Sequence, residues 1–162
     1  MERITVQDYL DRIGYMGPLA PTAENLRALA AAHVAAVPFD NLDMLAQKPL
    51  NLTQEALWDK IVVRRRGGVC HELNNAFRYL LQALGYEVEL RSAHVHDPND
   101  RMAHVNLWVT VDGALWLVDV GFGDQSIPVL PLDGPEGEGY GGRYRFEPRP
   151  DGTTALLFRR TG

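Results

Sequence analysis

The hydrophobic pattern of this 162-residue chain changes period at Gly85, and no fold built from one kind of secondary structure accommodates both halves. Before it, Leu73, Ala76, Phe77, Leu80, Leu81 and Leu84 recur at i, i+3, i+4 spacing, and Gly85 is a natural helix stop. After it, Glu87-Val88-Glu89-Leu90-Arg91 alternates polar and apolar as a half-buried strand does. The expectation is an α+β chain, with a helical domain over residues 1–85 followed by an antiparallel β domain over 86–162.

The helical half reads as four helices. Val6, Tyr9, Leu10 and Ile13 share one face of a short helix that ends at Gly14. Thr22 is a good N-cap for a second helix, which carries Leu26, Leu29, Ala30, His33, Val34 and Val37 until Pro38 stops it. His33 lies on that apolar stripe and reads as a satisfied core histidine. Pro38-Phe39-Asp40-Asn41-Leu42 reads as a turn. Thr53 caps a third helix bearing Ala56, Leu57, Ile61 and Val62, and the helix after Cys70 is the fourth. In the second half, residues 105–111 and 114–120 flank Asp112-Gly113, a strong two-residue hairpin signal. The Gly- and Pro-rich stretch 134–142 reads as a loop. Residues 144–147 and 155–159 form a further hairpin turning at Asp151-Gly152.

Composition narrows the partners. A formal charge of −5 speaks against nucleic acid, and no apolar run is long enough to span a bilayer. Met1-Glu2-Arg3-Ile4-Thr5 lacks the apolar core of a signal peptide, so the expected location is cytoplasmic. One cysteine excludes an intrachain disulfide framework. The triplet Arg64–Arg66 reads as a solvated patch or a source of structural salt bridges ahead of a phosphate site.

That cysteine, Cys70, follows Gly67-Gly68-Val69 at the start of a helix. Unpaired N–H groups and the positive end of the helix dipole favour a thiolate there, and the glycines let the backbone turn tightly and leave the sulfur open. The plainer reading of a lone cysteine is a small buried hydrophobe; the flanking glycines and arginines favour the reactive one. If Asp112-Gly113 is the hairpin turn, cross-strand partners have numbers summing to 225. His104, Asn106, Leu117 and Asp119 then share a face, with His104 and Asp119 as diagonal neighbours. A thiol, an imidazole and a carboxylate in that order follow the logic of a Cys-His-Asp triad. Plain alternatives stand beside it, with Asp119 an ordinary strand-end residue and His104 a polar residue on a sheet face. A metal site from His94, His96 and His104 fits by spacing, but Asp97-Pro98-Asn99-Asp100 reads as loop, so no metal is expected.

Taken together, Pro38-Phe39-Asp40-Asn41-Leu42, Arg66-Gly67-Gly68-Val69-Cys70-His71-Glu72-Leu73-Asn74, His104 and Val118-Asp119-Val120-Gly121-Phe122-Gly123 resemble the arylamine N-acetyltransferase family over nearly the whole chain. The resemblance implies a helical domain, a β-barrel-like domain and a papain- or transglutaminase-like triad of Cys70, His104 and Asp119 between them. It implies that Cys70 takes acetyl from acetyl-CoA, the co-substrate, with no bound cofactor. A small aromatic amine or hydrazine then attacks in a ping-pong cycle. By the same resemblance Phe39, Val69 and Phe122 line the acceptor pocket and Arg66 pairs with Asp40. The backbone N–H of Cys70 is the expected oxyanion donor.

Family members usually continue into a third, α/β domain that closes over the barrel, whereas this sequence stops at Gly162. The expectation is a fragment or a shortened homologue in which hydrolysis competes with transfer. Rival readings are an amide synthase acting on a polyketide acyl group, a protease- or transglutaminase-like hydrolase, and a non-catalytic remnant.

Overall fold

The computed structural model describes residues 4–95, 104–123, 127–139 and 141–161. Thr5 and Asp8 form a reciprocal capping box at the start of α1 (Val6–Ile13), and Gly14 closes it in the left-handed region. Thr22 caps α2 (Ala23–Ala36), which ends at Val37 in extended backbone because Pro38 follows. A short helix α3 (Leu42–Leu45), which the sequence does not announce, begins at the last residue of the expected turn. Next, α4 (Gln54–Trp58) starts on Thr53 and runs into a π-helical turn, Asp59–Val63. Helix α5 (Cys70–Ala83) is therefore the fifth, not the fourth.

Among the described residues seven strands follow, in two antiparallel sheets. The first holds β1 (Glu87–Ala93), β2 (His104–Val111), β3 (Ala114–Val118) and β4 (Leu130–Pro131) in that order. The second holds β5 (Gly137–Gly139), β6 (Gly142–Pro148) and β7 (Thr154–Arg160). Both sheets are antiparallel, as expected, and among the described residues no ladder joins one to the other. Strand β5 lies inside the stretch expected to be a loop. Its Gly-Glu-Gly sequence has no side-chain alternation to read, and a Cβ at Gly137 would fall 2.0 Å from Leu130 Cδ2, so the bare backbone is what fits there.

The β2–β3 ladder pairs Leu107 with Val118 and Val111 with Ala114, the register that the Asp112-Gly113 turn specifies. Both turn residues have positive φ, 51° and 78°, as a type I′ hairpin requires. With register set, Leu107, Val109 and Val111 join Leu73, Phe77, Leu80 and Leu81 of α5 in one buried cluster with Tyr9, Leu26, Leu29 and Ile61. Helices and first sheet thus share a core across Gly85. His33 is fully buried in it, edge-on to Tyr9 and Phe77, but neither ring nitrogen has a hydrogen-bond partner. It is a core histidine, as expected, but not a satisfied one, because aromatic rings surround it. Among the described residues no helix is long and apolar enough to cross a membrane.

Candidate active site

The loop ahead of α5 is held against residues 38–40. Phe39 and Gly68 form a parallel bridge, and the Asp40 N–H donates to the Gly68 carbonyl at 2.9 Å. A Cβ at Gly67 would lie 2.0 Å from the Pro38 oxygen, so only glycine permits this approach. Glu72, third residue of α5, accepts the Val69 N–H at 3.0 Å, and the helix begins at Cys70. The thiol is free and half-exposed, with Sγ 3.4 Å from Nδ1 of His71.

Beneath the loop lies a chain of charges. Lys60, nearly buried in the π-helical turn, places Nζ 2.7 Å from Glu72 Oε1 and 2.9 Å from Asp43 Oδ2. Arg66 donates to Asp43 at 2.9 Å and to Asp40 at 3.0 Å. Hydrogen bonds from Lys60, Arg66 and Lys48 hold the Asp43 carboxyl far below the usual carboxylate range. The Leu42 N–H, joined by Arg66, holds Asp40 down as well. Of the arginine triplet, Arg66 is structural, as the sequence suggests, and Arg64 pairs with Asp59.

Across from Cys70, β2 starts at His104, and Asp119 follows directly on β3. His104 Nε2 lies 2.5 Å from Asp119 Oδ2, with both side chains buried. Burial alone would push the His104 imidazolium down; hydrogen bonds and charge from Asp119 and Cys70 outweigh it and carry the group up to about 9. Nε2 is taken by Asp119, which leaves Nδ1 as the nitrogen able to exchange a proton with the sulfur. The three residues singled out from sequence therefore meet in one place.

Asn74 is the residue that sequence reasoning quoted without a role. Fully buried one turn beyond Cys70, its amide donates to the Val105 carbonyl at 2.8 Å and to Asp119 Oδ1 at 3.0 Å, while its oxygen accepts the Val120 N–H at 3.1 Å. It ties the nucleophile helix to the carboxylate. The available signal was the i, i+4 spacing from Cys70, which puts an amide on the helix face that carries the sulfur. Gly121 completes the junction, since a Cβ there would sit 2.9 Å from the Cys70 Cα.

The three expected pocket residues differ in placement. Phe122 stands edge-on to the His104 ring at 5.2 Å, and Phe39 is half-exposed with its ring against Gly123. Val69 is buried. Among the described residues no group of three His, Cys, Asp or Glu side chains could hold a metal, and His96 lies outside them.

A family model described as N-acetyltransferase matches residues 22–160. The chain belongs to the arylamine N-acetyltransferase family. Its relatives in that family include the arylamine N-acetyltransferase of Mycobacterium tuberculosis, 41% identical over 156 residues that cover 89% of this chain and 55% of that protein. The Mycolicibacterium smegmatis arylamine N-acetyltransferase is 44% identical over 138 residues, 78% of this chain and 50% of that one. Among solved arylamine N-acetyltransferase structures, the Salmonella typhimurium protein superposes with a TM-score of 0.87 at 33% identity, covering 98% of this chain and 60% of its own. The Mycobacterium marinum enzyme in complex with CoA superposes with a TM-score of 0.85 at 39% identity, covering 95% and 60%. The chain thus spans about half to three-fifths of the length of these arylamine N-acetyltransferases.

Proposed function

We propose that the chain transfers acetyl from acetyl-CoA, through a thioester on Cys70, to a small aromatic amine or hydrazine. The observation that carries this reading is the meeting of a half-exposed thiol, an imidazole and a buried carboxylate at a helix start. In the first half-reaction Cys70 yields its proton to His104 Nδ1, and the thiolate attacks the acetyl carbonyl carbon. The carbon–sulfur bond to CoA breaks, and the departing CoA thiolate takes the proton back from His104. In the second, the amine attacks the acetyl-cysteine, His104 accepts the amine proton, and the Cys70 thiolate leaves with the pair of electrons of the broken bond.

Asp119 fixes the imidazole's orientation and stabilises its cation. The Cys70 N–H lies in the first turn of α5, where helical N–H groups lack intrahelical acceptors, and serves as the oxyanion donor. Phe39, Val69 and Phe122 are the acceptor-pocket residues of this reading. The Mycobacterium marinum relative, solved with CoA, supports the choice of donor.

The test is intact mass after mixing with acetyl-CoA. The native chain gains one acetyl group, Cys70→Ala gains none, and adding an aromatic amine returns the native mass while an acetamide accumulates. Absence of any adduct on the native, folded chain refutes the proposal. An adduct that decays without acetamide makes the chain a thioesterase instead, because water then outcompetes the amine.

A further inference from the structure

Glu72 presents a difficulty for a thiolate at Cys70. A carboxylate two residues past the nucleophile, inside the first turn of the same helix, opposes negative charge on the sulfur. Its other task, accepting the Val69 N–H at 3.0 Å, holds the backbone just ahead of Cys70 in place. Lys60 resolves the conflict. Its ammonium, on a residue 4% exposed, reaches Glu72 Oε1 at 2.7 Å, and among the described residues it is the one cation in hydrogen-bond contact with that carboxylate.

We propose that Lys60 is a positioning residue for the nucleophile: it cancels the charge of Glu72, keeping the start of α5 positive toward the Cys70 sulfur, and clamps Glu72 onto the Val69 N–H. The inference rests on reading Cys70 as the nucleophile. It accounts for a feature otherwise without purpose, a π-helical turn at Asp59–Val63, a distortion that proteins keep mainly where function requires it. The turn sets Lys60 between Asp43 of α3 and Glu72 of α5. The other charged or titratable groups around the sulfur are His71 on α5, His104 on β2 and Asp119 at the end of β3. Arg66, ahead of the cysteine on the same loop, is bound by Asp40 and Asp43.

The experiment is the pH dependence of iodoacetamide alkylation of the single cysteine in the full chain, with no acetyl donor present. Lys60→Met raises the midpoint of the rate profile by about 1 pH. Glu72→Gln moves the midpoint the other way. The double variant returns towards the native profile, and Lys60→Arg stays close to it. Loss of packing alone would lower Tm without moving these midpoints in opposite directions. Folded Lys60→Met and Glu72→Gln variants whose profiles coincide with the native one, or shift in the same sense, overturn the proposal. If Lys60→Met does not fold, Glu72→Gln decides alone: a lower midpoint supports the proposal, and an unchanged or higher one overturns it. A native profile like that of a free cysteine sinks both this proposal and the nucleophile reading. The predicted shifts in a chain that never takes up acetyl sink only the acetyl-transfer reading.

Discussion

His33 and His104 are both buried, and their contributions to stability respond to pH in opposite senses. Burial, helped by the nearby Arg12 charge, pushes His33 down to about 3. Its folded-state value lies below that of the unfolded chain, near 6.5, so the unfolded chain binds the extra proton as pH falls. Stability is lost below about pH 6.5 at up to ~1.4 kcal/mol per pH. For His104, burial works downward, but Asp119 and Cys70 carry it up to about 9. What that group contributes is fully present below pH 6.5 and is lost as pH rises through 9. Tm is therefore expected to peak between pH 6 and 7. Calorimetry should show His33→Leu flattening the decline between pH 4.5 and 6.5, and an unaltered slope would refute the assignment. Such orphaned nitrogens were not legible in sequence, where an apolar stripe announces burial but not whether a partner waits there. The meeting of Cys70 with His104 and Asp119 was half legible. The hairpin register brings the imidazole to the carboxylate, whereas nothing in local spacing brings a helix to a strand more than thirty residues later.

At the scale of elements, segments with strong local rules were readable and those without were not. Thr5, Thr22 and Thr53 each cap the helix that follows, and Asp112-Gly113 sets a ladder whose pairs sum as expected. Helix α3 was missed because it is four residues long and Asn41 makes no side-chain capping bond. The α3 segment is instead secured by tertiary charge, Arg66 binding Asp43 and Asp40 together. Arg66→Ala is accordingly expected to lower Tm by several degrees while leaving the preference among aromatic amines unchanged. Unchanged melting, or altered acceptor preference without a stability loss, would count against that role.

Over the whole molecule, the helical half and the first sheet are joined by a shared apolar core and by one polar rivet, Asn74. Its three hydrogen bonds cross from α5 to the open end of the β2–β3 hairpin, opposite its turn. Removing a fully buried amide strands the Val120 N–H and takes one of two N–H donors from Asp119 Oδ1, which keeps that of Gly121, so Asn74→Ala should cost about 3 kcal/mol and lower Tm by on the order of 10 °C. Acetylation of Cys70 should slow in the same variant even well below its melting temperature, because Asp119 loses the donor that ties it to the nucleophile helix. A variant as stable and as readily acetylated as the native chain would show that packing alone holds the halves together. The α+β class was legible from the change of period, but the division of the strands between two sheets was not. Strand alternation tells which face is buried and says nothing of which edges meet.

The π-helical turn at Asp59–Val63 carries one residue more than an α-helical turn would. Deleting a single residue after Lys60 in that turn would give the better-formed helix, yet it would rotate everything upstream by about 100° relative to the cysteine loop. The ammonium would then swing out of reach of Glu72. A chain shortened by one residue at this spot should share the raised alkylation midpoint expected of Lys60→Met, which makes the length of this turn, as much as its composition, a determinant of the thiol's reactivity.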